Sequence, residues 1–136
     1  MSSTVSSPVT YLSRDEIVTA HDALLEKYGG TAGIRDEGFL DALAAKPREV
    51  VTGVDVYPTL FNKAAVLCHG LLFGRPFQDG NKRTAFAVCD LMLQMNGWQV
   101  QVTPAEACSF FADVLTNKSD WPQISLWLKI SSRQLW

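Results

Sequence analysis

Apolar positions recur at helical spacing along most of the chain. Ile17, Ala20, Leu24 and Tyr28 fall near one helical face. Ser13-Arg14-Asp15-Glu16, just ahead, has the spacing of a capping box. Gly29-Gly30 closes that helix, because glycine reaches the left-handed region at little cost. Asp36 is placed to cap a second helix carrying Phe39, Leu40 and Leu43, which Pro47 stops. Glu49 to Tyr57, EVVTGVDVY, breaks the pattern. Its two β-branched runs flank Thr52-Gly53, which predicts a small hairpin or extended flap. Pro58 suits the first turn of a third helix, through Leu60, Ala64, Leu67 and Leu71 to about Phe73, with Gly74 closing it.

From about Lys82 to Asn96 the pattern is apolar on most sides, through Ala85, Phe86, Val88, Cys89, Leu91, Met92, Leu93 and Met95. Such a helix is expected at the centre of the fold. Asn96-Gly97 ends it, and Trp98 to Val102 reads as a short strand. Thr103-Pro104-Ala105-Glu106 is a second capping box with proline at the first helical position. A fifth helix runs to about Leu115. A last one starts near Trp121 and is expected to bury Ile124, Trp127, Leu128 and Leu135. Without internal repeats, the expectation is an all-α bundle of about six helices with one small β-hairpin.

Composition narrows the picture. At 136 residues, 47% of them hydrophobic, the chain can build one real core, assigned to residues 11–136. The opening MSSTVSSP is small and polar, so residues 1–10 are expected to be a disordered tail. A net charge of -2 argues against a general nucleic-acid or membrane binder, and no direct nucleic-acid contact is expected. No basic-then-apolar leader is visible, and no apolar run approaches the roughly 20 residues of a membrane span. A cytoplasmic protein is the expectation. Cys68, Cys89 and Cys108 are widely spaced without a CxxC, so all three are expected in core packing.

The chemistry concentrates in RPFQDGNKRTAF, Arg75 to Phe86. Gly80 and Asn81 precede a helix, whose free N–H groups and dipole favour an anion, phosphate above all. Gly80 lets a ligand approach the backbone. Lys82 and Arg83 add positive charge, and a guanidinium can grip phosphate in two places. Asp79 alone would repel phosphate; a Mg²⁺ held by one carboxylate and phosphate oxygens removes the conflict. The pattern is not a Walker loop, since Gly74 and Gly80 do not give GxxxxGK[ST].

This stretch resembles the signature of the Fic/Doc family, roughly H-x-F-x-[DE]-[AG]-N-[GK]-R, in the N-K-R-T-A form typical of its Doc (death-on-curing) branch. His21-Asp22, Tyr28-Gly29-Gly30 and Gly33-Ile34-Arg35-Asp36 resemble the Doc N-terminal segment in order and spacing. The resemblance implies a Fic-fold helical domain. It also implies a toxin of a toxin–antitoxin pair that moves the γ-phosphate of ATP to a threonine of elongation factor Tu. Other family members transfer AMP instead. By position, Asp79 would hold Mg²⁺, Gly80, Asn81, Lys82 and Arg83 would cradle phosphates, and Phe77 would anchor the loop. Val50, Val51, Thr52, Gly53 and Val54 would form the flap that aligns the target as an added strand. A Phd-like antitoxin would neutralise the toxin by laying a helix in a groove.

One residue departs from that pattern. The family's motif begins with a histidine that serves as general base, and here Arg75 stands in its place. A guanidinium does not give up its proton at neutral pH, so it cannot play that part. Three readings follow: a single-base inactivating change in an active toxin, a natural pseudo-enzyme that binds nucleotide or partner without transfer, or a new phosphate clamp working with another base. His69, six residues earlier on its helix, turns away from Arg75 by rotation and is expected to be structural or solvated. His21 is expected to brace the fold through a hydrogen bond. The inhibitory pattern [ST]-x-x-x-E-[GN] fails, because Gly33 stands where Ser or Thr is needed before Glu37-Gly38. Restraint is therefore expected from a partner. Trp121, Trp127 and Trp136 are read as core.

Overall fold

The computed structural model describes residues 8–136, and residues 1–7 of the expected tail lie outside the described residues. Thr10, also assigned to the tail, exchanges two hydrogen bonds with the Asn96 side chain, at 2.8 and 2.9 Å.

Side chains cap most helices, at Ser13, Asp36 and Thr103 where the sequence places them and at Thr59 and Asp120 besides. Ser13 and Glu16 exchange the reciprocal bonds that open α1, Arg14–Tyr28. The Asp36 carboxylate accepts the Phe39 N–H at 2.9 Å and opens α2, Glu37–Ala45. A short 3-10 turn, Lys46–Arg48, follows and buries Pro47. Thr59 and Asn62 box the start of α3, Leu60–Gly74. α4, Asn81–Met95, begins differently, at Gly80 with φ +78 and no side-chain cap. Thr103 and Glu106 open α5, Pro104–Asn117, and Asp120 and Gln123 open α6, Trp121–Ser131. A side-chain cap is worth about 1 kcal/mol, so the bare start of α4 forgoes a contribution that its neighbours take.

The architecture is all-α, a six-helix bundle with two small antiparallel β pairs. β1, Val50–Val51, pairs with β2, Val54–Asp55, across Thr52-Gly53, with Val51 opposite Val54. Both turn residues have positive φ, +49 and +78, the geometry that matches strand twist in a two-residue hairpin. β3, Trp98–Val100, pairs with β4, Ser132–Gln134. α3 packs chiefly on α4 and α6, and α1 packs on α4. Leu67, Cys68 and Leu71 from α3 meet Val88, Cys89, Met92 and Leu93 from α4 in one buried core with Ile124 and Leu128 from α6.

Several local expectations change. Pro58 precedes the Thr59 cap rather than starting α3. Gly74 is the last helical residue, and Arg75 takes the left-handed conformation at φ +48. Tyr28 is exposed, because the last turn of α1 runs past the core. Cys68 and Cys89 are buried, but Cys108 is exposed. α5 buries Ala107, Phe111 and Val114, and Cys108 lies one residue, about 100°, round from that stripe. Leu135 lies beyond α6 and is exposed, since the chain leaves the helix to form β4. Trp121 and Trp127 pack partly against the core, while Trp136 stays exposed.

α2 meets α3 at Gly70, where an added Cβ would fall inside the Leu43 side chain. Gly70→Ala is expected to destabilise the protein by about 1–3 kcal/mol through overpacking. A lower urea midpoint at unchanged slope is the readout.

Candidate phosphate-binding cleft

The loop from Arg75 to Gly80 crosses between α3 and α4, and its middle is pinned from below. Phe77 is 1% exposed, and its ring stacks on His21 at 3.7 Å between centroids. His21, itself buried, donates from Nε2 to the Asp79 carbonyl at 2.7 Å. The Asn81 side chain satisfies both backbone groups of Phe77: Oδ1 accepts its N–H at 3.1 Å, and Nδ2 donates to its carbonyl at 3.0 Å. Asn81, expected in the phosphate cradle, therefore spends its side chain on the loop. What it can offer a ligand is its backbone N–H at the first turn of α4.

A second segment clamps the loop from the side. Ile34 and Phe77 form an antiparallel bridge. The Arg35 and Asp36 N–H groups donate to the Pro76 carbonyl, and Gln78 N–H donates to Gly33. The Arg35 guanidinium donates to the carbonyls of Gly74 and Arg75. Thr31 N–H donates to Asp79 Oδ2 at 3.1 Å, and Gly80 N–H to Oδ1 at 2.9 Å. These bonds, Thr31's first, hold the Asp79 carboxyl below its ordinary range, with Arg83 adding to the effect. Asp79 is therefore ionised throughout the neutral range. Each of its oxygens keeps a lone pair, which suits a cation. Gly30 makes this approach possible: a Cβ there would lie 2.9 Å from Asp79 Oδ2 and 2.8 Å from Leu25 Cδ2.

Above the loop lies a cleft of about 720 Å³. Arg75, Asp79, Gly80, Asn81, Lys82 and Arg83 line one side; Phe86, Pro104, Ala107, Cys108 and Phe111 line the other, with Tyr28 at its margin. The Arg83 guanidinium sits 4.6 Å over the Tyr28 ring, a cation–π contact that limits its rotamers. Every expected phosphate and metal residue thus meets in one space. The flap residues Val50, Val51, Thr52, Gly53 and Val54 do not line it. Sequence reasoning missed Tyr28, placed near one face of α1, and Cys108, assigned to core packing, because no local pattern links α1 or α5 to the loop.

His69 is elsewhere, beside Phe73 and 3.6 Å from Asp120, in a separate groove between α2 and α3. Burial pushes its imidazole below the ordinary range, against the opposing pull of Asp120. Among the described residues no three His, Cys, Asp or Glu side chains cluster as a metal cage. Asp79 as a lone carboxylate fits Mg²⁺, which takes its other ligands from phosphate and water. The bare start of α4 and the absent Cβ at Gly80 fit a phosphate. No helix among the described residues is long and apolar enough to cross a membrane.

Fold and cleft define a class: a helical protein whose central helix starts open at a loop bearing one carboxylate and two basic side chains. The chain belongs to the Fic/DOC family, whose model matches residues 11–93. It is 43% identical over 90 residues to the protein named Toxin Doc from Mycolicibacterium smegmatis, covering 66% of this chain and 67% of that protein. It is 33% identical over 94 residues to the protein named Protein kinase doc from Escherichia phage P1, covering 69% and 74%.

Gly30→Ala is expected to displace Asp79 and weaken binding of Mg²⁺–ATP by about tenfold or more. Gly38→Ala, in α2 without a positive φ and with its added Cβ at an ordinary 3.8 Å from Asp36 Oδ1, is expected to leave binding unchanged. Calorimetric titration of both variants measures the difference.

Proposed function

We propose that this chain is a Doc-type toxin of a toxin–antitoxin pair, built to transfer the γ-phosphate of ATP to a hydroxyl of elongation factor Tu and slowed by Arg75. The observation that carries the proposal is the meeting of Asp79, Lys82, Arg83 and the uncapped start of α4 in one cleft. Family membership supports nucleotide-dependent transfer in general. The names of the two relatives support the toxin and kinase readings.

Each residue then has a physical task. The N–H groups at the start of α4 and the Arg83 guanidinium hold the phosphates, with Lys82 as a further positive charge. Gly80 leaves room for them, and Asp79 holds Mg²⁺. ATP supplies the phosphoryl group, and Mg²⁺ neutralises charge that develops on it. Val50, Val51 and Val54 are exposed on a two-stranded hairpin whose edges can accept a target strand. A Phd-like antitoxin is the partner that restrains the toxin.

Arg75 sits where the resembling proteins carry the base that takes the hydroxyl proton. It lines the cleft as a fixed cation. Loss of a general base lowers rate by about 10²–10⁴-fold, while positioning and charge stabilisation by the rest of the cleft persist. A second reading, a silent binding module for the antitoxin, is favoured by Arg75 itself.

The test compares the protein with Arg75→His, each incubated with Mg²⁺, purified elongation factor Tu and ATP labelled at the γ- or α-phosphate. Label from the γ-position, rising about 10²-fold or more in the histidine form, is the expected result. Label from the α-position alone would establish AMP transfer instead. No label from either position would leave the binding module. Arg83→Ala is expected to weaken ATP binding by about 1.5–3 kcal/mol, the range of a charged hydrogen bond, and unchanged binding would count against the cleft.

A further inference from the structure

Lys63 is among the largest fully buried side chains of the protein, with 1% of its surface exposed. It stands on α3, remote from the motif loop, and the tasks assigned above leave it unused. A buried ammonium is costly unless its donors find partners. Here Nζ donates to the Pro47 carbonyl at 3.0 Å and to Asp55 Oδ2 at 3.3 Å. The Tyr11 ring, 5.6 Å away, faces it from a third direction.

One partner lies in the 3-10 turn that leads into the hairpin, the other on the hairpin itself. Pro47 precedes β1, and Asp55 ends β2. Between them the hairpin has little else to hold it: Val50, Val51 and Val54 are all more than half exposed. A two-stranded hairpin of this size is marginal on its own. One ammonium from α3 therefore ties the end of β2 to the turn that leads into β1, beside the Val56 N–H bond to Glu49 that closes the hairpin base. An apolar side chain could fill the same volume with less desolvation, but it could not bond the Pro47 carbonyl and the Asp55 carboxylate together.

α3 carries the consequence to the cleft. The helix that holds Lys63 ends at Gly74, and Arg75 follows directly. Lys63 and Arg75 are separated by roughly 18 Å of helical rise, a rigid spacer.

We infer that Lys63 is a positioning residue for the target: it fixes the Val50–Asp55 flap at a set distance from the phosphate cleft. This deepens the transferase reading and rests on it. Lys63 touches neither ATP nor the reacting hydroxyl; it acts through the flap.

The experiment has two arms, and uses the full chain carrying Arg75→His. Lys63→Met keeps length and removes the donors. Asp55→Asn leaves the Lys63 side chain in place and alters a half-exposed residue, keeping an oxygen that can accept from Nζ while removing the charge, and a thermal melt establishes that it folds. In the first arm, hydrogen exchange at residues 50–56 is expected to quicken about tenfold in both variants, with α3 and α4 amides unchanged in Asp55→Asn. In the second, KM for elongation factor Tu is expected to rise about tenfold in Asp55→Asn, with kcat at saturation and KM for ATP unchanged.

Flap exchange that stays at the parent rate in both variants overturns the inference and makes Lys63 a packing residue. Faster exchange with unaltered target KM also overturns it. Absence of transfer from the parent itself defeats the transferase reading instead, and with it the target role. The exchange arm still decides whether Lys63 holds the flap.

Discussion

The stack of His21 on Phe77 is the contact on which the rest of the site depends. It joins α1 to the floor of the motif loop, and its reach extends in two directions. Through Nε2 His21 takes the Asp79 carbonyl, which sets the loop just before the Gly80 turn. Through Phe77 it fixes the residue whose backbone the Asn81 side chain then satisfies on both sides. Buried backbone groups must find partners. Here one side chain supplies both, leaving the first-turn N–H groups of α4 without competition. Loop conformation and open helix start are thus two outcomes of one packing arrangement.

Arg75 sits at the tense end of this arrangement. It is a non-glycine residue with φ +48, and such conformations persist where surroundings over-determine them. The surroundings are visible: the Arg35 guanidinium donates to the carbonyls of Gly74 and Arg75 together, and the Pro76 carbonyl accepts the backbone N–H groups of Arg35 and Asp36. The backbone is held whatever the side chain at position 75.

The helices themselves were legible because capping boxes, prolines and apolar periodicity are local signals. Ser13 with Glu16, Asp36 and Thr103 with Glu106 each open a helix as their spacing implies. The flap was legible for the same reason: Thr52-Gly53 reaches positive φ between β-branched runs. The β3–β4 pair was not, since Ser132–Gln134 finds its partner far back in the chain and carries no alternation of its own. Periodicity also misplaced Tyr28 and Cys108. It reports which face of a helix is apolar, and cannot report where a neighbouring helix stops covering it.

For the site, the sequence by itself determined the inventory: one carboxylate, two basic side chains and a glycine at a helix start, with an arginine where the resembling pattern has histidine. Tertiary structure alone decided their uses. It turned Asn81 inward, and it bonded Asp79 to Thr31 and Gly80 while leaving lone pairs free. It set Arg83 on Tyr28 and buried Lys63 against the Pro47 carbonyl and the Asp55 carboxylate. Each of these joins segments distant in sequence. Their energies depend on burial and approach in three dimensions, which no local pattern of residues encodes.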